Sequence, residues 1–254
     1  MKQSEFCEMM ERIAPRSLAF DFDNVGLLIK SDHNEIKKVL VALDLTLEVA
    51  EEAIAGGYDL VLTHHPLFLE PVKSFSLESA ETAAAYRLIR HGIGHFAAHT
   101  NLDACEGGVN DVLAGLLRLK SVRPLPPENL GRTGELQESV TFGKFSAFCE
   151  SVLGSKGRFV GDPDRLVHQI ALIGGSGGGD LEYVKLAGCD TFVTGEMKHH
   201  QALAAVQYGI KCCVLGHYET EFPVLKPLIS RLQNEHFDVQ YNLTHSGRAP
   251  LHSL

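Results

Sequence analysis

A strand-like apolar run, a helix-period segment, a glycine stop and another apolar run occur twice in this chain in the same order. That repetition restricts the fold more than any other feature. In the first half, residues 39–43 (Val-Leu-Val-Ala-Leu) are a short apolar run of buried-strand type. Residues 46–55 have helical spacing and stop at Gly56-Gly57, and residues 60–63 are a second strand. Residues 78–91 read as a helix ended by Gly92, and 93–98 as a third strand. In the second half, 169–173 reads as a strand, 180–187 as a helix, 191–194 as a strand, 198–207 as a helix and 210–215 as a strand. A shift of 131 residues places Gly57, Asp59 and Thr63 on Gly188, Asp190 and Thr194 without a gap. Strands alternating with helices imply parallel pairing, so the expected class is α/β, with two similar halves arising by internal duplication. The boundary is expected in 120–140, where Pro124, Pro126, Pro127, Gly131 and Gly134 should break any regular element. The halves are then 1–125 and 126–254.

Composition narrows the partners. The chain has 254 residues, 44% hydrophobic, with a formal net charge of -9, which is enough apolar material for two modest domains packed together. Lys37-Lys38 is the longest basic cluster, so neither nucleic acid nor an anionic membrane is an expected partner. No segment approaches the roughly 20 apolar residues of a spanning helix. The opening Met-Lys-Gln-Ser-Glu-Phe lacks the apolar core of a signal peptide. The six cysteines include no Cys-x-x-Cys pair and read as reduced thiols filling the core of a cytoplasmic protein.

The 13 histidines are informative through their placement. Four polar clusters follow apolar strands, the position where an α/β sheet presents its ligands. The run 60–63 leads into His64-His65-Pro66, and 93–98 leads into His99-Thr100-Asn101-Leu102-Asp103. The run 191–194 leads into Gly195-Glu196 with His199-His200 beyond, and 210–215 leads through Gly216 into His217-Tyr218-Glu219-Thr220-Glu221. Each third strand thus ends in His-x3-Asp or His-x3-Glu. If each begins a helix, imidazole and carboxylate lie one turn apart on one face, spaced to converge on one ion or on two neighbouring ions. Imidazole with carboxylate suits zinc, iron, manganese, nickel or cobalt, and no thiolate selects a softer metal. Singly, an adjacent histidine pair also fits a solvated turn, and His-x3-Asp a charge at a helix start. Four clusters at corresponding strand ends point instead to metal binding.

The series Asp23-Asn24-Val25-Gly26-Leu27, Thr63-His64-His65-Pro66, His99 to Asp103, Thr194-Gly195-Glu196 and His217 to Glu221 resembles the Nif-three-like family. Bacterial members of that family carry the label GTP cyclohydrolase 1 type 2. The resemblance spans nearly the whole chain in order. It implies two α/β halves, a dinuclear metal site in the cleft between them and a ring-shaped hexamer. By the same resemblance the metal ligands are His64, His65, Asp103, His217 and Glu221, the last bridging both ions, while His99 lies beside the metals. Phe22 stands where many members carry Trp, and the middle insert domain of longer members is missing.

Gly174-Gly175-Ser176-Gly177-Gly178-Gly179 lies between a strand and a helix. It matches neither G-x-G-x-x-G nor a Walker motif, so a flexible turn is the better reading, with an anion cradle as the other. Glu196 and His200 occupy the second-half counterpart of His64-His65, as groups orienting ligands, as an acid/base pair or as a surface helix start. Asp23 and Asn24 look like cleft-lining residues through the resemblance. Cys212-Cys213, inside a strand, reads as core. The leading expectation is a hydrolase using two divalent metal ions on a small-molecule substrate, possibly a nucleotide, with His99, Glu196 or His200 moving protons. The alternatives are a metal-binding regulatory or scaffold protein and a metal-handling protein without catalysis.

Overall fold

The computed structural model describes residues 1–80 and 82–251. These residues form two compact units. The first comprises Met1–Cys105 and Leu225–Arg248, and the second Glu106–Val224 with the described residues from Ala249 on.

The first unit opens with helix α1 (Gln3–Ile13), which buries Phe6, Met9, Met10 and Ile13 on one face. A 3-10 turn (Arg16–Leu18) leads to strand β1 (Gly26–Ile29). Then follow β2 (Lys38–Ala42), α2 (Leu47–Ala55), β3 (Leu60–Thr63), α3 (Ala83–Arg90), β4 (Gly94–Ala97) and the short α4 (Thr100–Ala104). Helix α2 starts where expected because the Thr46 hydroxyl accepts the Val49 amide at 3.3 Å. Helix α3 starts later than the expected 78–91. The Thr82 hydroxyl donates to the Ser76 carbonyl and accepts the Ser76 amide, each at 2.9 Å, holding that stretch in a turn. Glu81, inside the expected helix, lies outside the described residues.

The second unit contains α5 (Val109–Leu116), β5 (Lys120–Pro124), β6 (Arg132–Thr141), α6 (Phe142–Leu153) and β7 (Arg158–Val160). The repeat follows as β8 (Leu166–Ile173), α7 (Leu181–Leu186), β9 (Thr191–Thr194), α8 (His199–Tyr208), β10 (Lys211–Val214) and α9 (His217–Glu221). The chain then returns to the first unit through α10 (Leu225–Glu235) and β11 (Gln240–Leu243).

The two sheets share a plan. In the first the order is β1-β4-β3-β2-β11, and in the second β5-β6-β8-β9-β10-β7. The triplets β2-β3-β4 and β8-β9-β10 are parallel, and each third strand carries an antiparallel edge strand, β1 or β7. Apolar runs without alternation arise because these strands are covered on both faces. In the second unit Ile170, Leu172, Val193 and Cys213 join one core cluster, while Ala171, Ile173, Phe192 and Cys212 join another. The adjacent cysteines therefore fill opposite faces of β10, as a core role requires.

Two of the three identities at the 131-residue shift, the aspartate and the glycine, do the same work in each unit. Asp59 Oδ2 accepts the amides of Lys37 (2.8 Å) and Lys38 (2.9 Å), and Asp190 Oδ2 accepts those of His168 and Gln169 (both 2.9 Å). Gly57 and Gly188 sit just before them with φ of +61° and +73°, a left-handed turn that glycine adopts without strain.

One expectation fails. The region 120–140 is not free of regular structure, since β5 and β6 run through it as an antiparallel pair. Pro124 is tolerated because β5 is the sheet edge and every residue of it is exposed. A fully solvated strand carries no apolar alternation to read.

Candidate metal centre

In the first unit the site grows from the ends of β3 and β4. His64 and His65 follow Thr63 directly, and the chain bends there, which matters because neighbouring side chains on a regular strand point to opposite faces. Here the two imidazole centroids are 4.9 Å apart, with the His99 ring 5.2 Å from His64 and 5.5 Å from His65. One ring nitrogen from each of these three histidines lies within 4.8 Å of the other two.

Each ring is oriented through Nδ1. His64 Nδ1–H donates to the Ala98 carbonyl at 2.9 Å, His65 Nδ1–H to Asp44 Oδ1 at 2.7 Å, and His99 Nδ1–H to Asp23 Oδ1 at 2.9 Å. A donor at Nδ1 places the lone pair on Nε2, the arrangement by which protein carbonyls and carboxylates prepare imidazoles for a cation. His64 is buried, and its Nε2 lies 3.6 Å from Asp103 Oδ1. Asp103 is reached because His99 precedes α4 as its N-cap residue, and both the Leu102 and Asp103 amides bond the His99 carbonyl. His-x3-Asp does start a helix, with His99 at the cap rather than within it.

Asp23 is the anchor of this corner. Besides His99 it accepts the Thr100 amide at 3.0 Å and the Thr100 hydroxyl at 2.5 Å. Burial alone would raise its pKa, but the hydrogen bonds from His99 and Thr100 and the nearby His99 charge outweigh burial and bring it to about 2. Its neighbour Asn24 ties down the loop after His65, donating through Nδ2 to the Phe68 carbonyl at 2.8 Å.

In the second unit, α9 opens at Gly216, whose φ is +95°. His217 Nε2 is 3.1 Å from Glu221 Oε2 one turn later, and its Nδ1 is 3.3 Å from Glu196 Oε1. Glu221 is buried, whereas the Glu196 side chain is half exposed. The Thr220 hydroxyl donates within the turn, to the carbonyls of Gly216 (2.9 Å) and His217 (3.0 Å), and accepts the Gly175 amide at 3.0 Å. His200 lies exposed in the first turn of α8.

The glycine-rich loop is a packing device. The Gly174 amide bonds Asn110 Oδ1 (2.8 Å), that of Gly175 the Thr220 hydroxyl, and that of Gly177 the Thr194 hydroxyl (3.0 Å). Three amides that an anion cradle would use already have partners inside the unit, so the turn reading holds. Gly175 has φ +61°, and a methyl group on it would overlap Glu221 Oε1 and sit 3.0 Å from His217 Nε2.

Reading the sequence missed Asp44, Thr220 and the role of Gly175. Asp44 stands just past β2, so the strand-end rule that found the histidines applied to it as well. Nothing local signals the closeness of Gly175 to Glu221. The donor set, imidazole and carboxylate without thiolate, fits a borderline divalent cation. Five of the six cysteines are buried and Cys7 is half-buried, and none joins a candidate ligand group among the described residues.

Fold and site together define an α/β protein of two similarly built units, each carrying histidine and carboxylate groups at its strand ends, with candidate metal-ligand groups. A family model described as Duf34/NIF3 (NGG1p interacting factor 3) matches residues 1–248, and the chain belongs to that family. A Clostridium perfringens relative named "GTP cyclohydrolase 1 type 2 homolog" is 31% identical over 258 residues, covering 98% of both chains. A Methanocaldococcus jannaschii relative of the same name is 34% identical over 241 residues, covering 89% of this chain and 92% of its own. The crystal structure of the Staphylococcus aureus hypothetical protein SA1388 matches with a TM-score of 0.91 at 30% identity, over 100% of this chain and 99% of that one. No helix among the described residues is long and apolar enough to cross a membrane.

Proposed function

We propose that this protein holds two divalent metal ions through His64, His65, Asp103, His217 and Glu221 and is a metal-dependent hydrolase of a small molecule, a nucleotide being the first to test. The observation that carries the metal reading is the pre-set histidine group. Three imidazoles each have Nδ1 engaged by a carbonyl or carboxylate, and one nitrogen of each lies within 4.8 Å of the others. Fixing three rings in one tautomer and bringing them together has a cost in side-chain entropy that a merely structural cluster has little reason to bear. The name shared by the relatives supports a nucleotide as substrate. The ring-shaped hexamer implied by the family resemblance belongs to the same proposal, and sedimentation of the purified chain tests it.

When bound, such cations act as Lewis acids that polarise the bond under attack and acidify water at neutral pH. The chain's own residues then handle protons. His99, with Nδ1–H donated to Asp23, has Nε2 as its basic atom. Asp23, ionised down to about pH 2, holds that tautomer and stabilises the imidazolium once the proton has been taken. Glu196, 3.3 Å from His217 Nδ1 and half exposed, orients that ring and passes a proton to solvent. His200, exposed on α8, is a further carrier.

The test is a screen of metal-loaded protein against nucleotides, phosphoesters and cyclic amides, beside Glu221→Ala. Turnover by the wild type that the variant loses together with bound metal is the expected result. Equal turnover by both despite different metal content removes the hydrolase reading, and a metal-replete protein inactive on the whole panel favours a regulatory or metal-handling role.

A further inference from the structure

We propose that His95, acting through the hydroxyl of Thr63, is a positioning residue for the His64-His65 ligand pair. The inference rests on the metal reading above and concerns what holds the bend that carries those two rings.

His95 lies in the middle of β4, opposite Val61 of β3, and is completely buried. An imidazole inside a sheet, away from water, needs a reason to be there, because leucine or valine would fill the space without a polar cost. Among the described residues its hydrogen bond runs from Nε2 to Thr63 Oγ1 at 2.8 Å, and its Nδ1 makes none. The Thr63 hydroxyl hydrogen is used elsewhere, donated to the carbonyl of His65 at 2.7 Å. Thr63 Oγ1 therefore accepts from His95, the proton of His95 sits on Nε2, and the direction of the relay is fixed: His95 Nε2–H to Thr63 Oγ1–H to the His65 carbonyl.

That carbonyl lies at the point where regular strand geometry must be abandoned. The amides of His64 and His65 still extend the ladder to Ala42 (3.3 Å) and Leu43 (2.9 Å). Continued extension would send the two side chains to opposite faces, yet their rings are 4.9 Å apart. The bond from Thr63 to the carbonyl two residues on closes the bend that brings them together, a local side-chain turn of the kind threonine supports. Pro66 follows and has no amide of its own to contribute. His95 prevents the Thr63 hydroxyl from rotating away, since any other rotamer leaves the buried Nε2–H without its acceptor. The hydrogen bond of His95 goes to Thr63, so its effect on the ligand pair passes through that hydroxyl.

The experiment uses the full chain, loaded with Co2+ and followed by its visible d–d spectrum and by titration for affinity and stoichiometry. Wild type, His95→Leu, His95→Gln, Thr63→Val and Thr63→Ser are compared, with thermal unfolding of the metal-free forms recorded in parallel. The expected result is that His95→Leu and Thr63→Val weaken Co2+ binding about ten- to a hundredfold, the range for groups that orient ligands, and alter the spectrum. His95→Gln, which restores an N–H donor, and Thr63→Ser, which restores the hydroxyl, return affinity towards wild type whatever their melting temperatures. If His95→Leu fails to fold, the Thr63→Val and Thr63→Ser pair decides. Wild-type affinity and spectrum in Thr63→Val overturn the inference while leaving the metal reading intact. A wild-type protein that takes up no Co2+, Zn2+ or Mn2+ overturns both.

Discussion

Gly175 leaves no space for a side chain against Glu221: a methyl group on its α-carbon would overlap the Oε1 oxygen of that buried carboxylate. The backbone there is also left-handed, at φ +61°. Gly175→Ala thus combines two effects, and Gly154 separates them. Gly154 has φ +66° and nothing within 4 Å of the position a Cβ would take. Gly154→Ala should cost about 1–2 kcal/mol, the strain of a left-handed alanine. Gly175→Ala should cost clearly more and also reduce bound metal by displacing Glu221. Urea denaturation and metal analysis of the two variants check this, and equal costs with full metal retention would show that the Glu221 contact is unimportant.

His95 gives stability a pH dependence. Burial lowers its pKa from 6.5 to about 3, so below pH 6.5 the unfolded chain binds a proton that the folded chain refuses. The contribution is fully present above pH 6.5 and is lost as pH falls from there toward about 3, at up to roughly 1.4 kcal/mol per pH unit. His95→Gln has no such proton to take up. Denaturation midpoints of metal-free protein at pH 7.5 and about pH 5 should therefore converge for wild type and variant as pH falls. Parallel curves would contradict the assignment.

Asp44 holds the Nδ1 of His65 at 2.7 Å, an interaction outside the candidate ligand set. Asp44→Ala should leave the fold nearly unchanged, since the Asp44 side chain is 45% exposed, while metal affinity falls about ten- to a hundredfold. Isothermal titration with Zn2+, alongside circular dichroism, distinguishes this from general destabilisation. An unchanged Kd would remove Asp44 from the site.

The duplicated turn makes a paired prediction. Asp59→Ala strips the acceptor from the amides of Lys37 and Lys38, and Asp190→Ala does the same to those of His168 and Gln169. Each substitution should cost about 1–3 kcal/mol, and the Asn versions, which keep an acceptor oxygen, should cost less. Hydrogen exchange should show each loss concentrated in the mutated unit. A large effect from one and none from the other would show that the repeat is no longer used symmetrically.

Much of the architecture was legible locally. The runs at 60–63 and 191–194 are strands with those limits, and both His-x3-carboxylate segments begin helices. These elements are covered by packing on both faces or start at a cap, and both leave a mark in neighbouring residues. β5 left none, because it is solvated throughout. The start of α3 shifted because a threonine hydroxyl outcompeted the helical pattern.

The sequence by itself determined where the strands end and which residues stand there, because hydrophobic period and glycine stops act over a few residues. The tertiary structure alone decided that β11 pairs with β2, some two hundred residues earlier, and that Asp23 reaches His99 and Asp44 reaches His65. It also decided that a glycine in one loop makes room for Glu221. Those relationships depend on which surfaces meet when the core is buried, and no periodicity along the chain records a partner that far away.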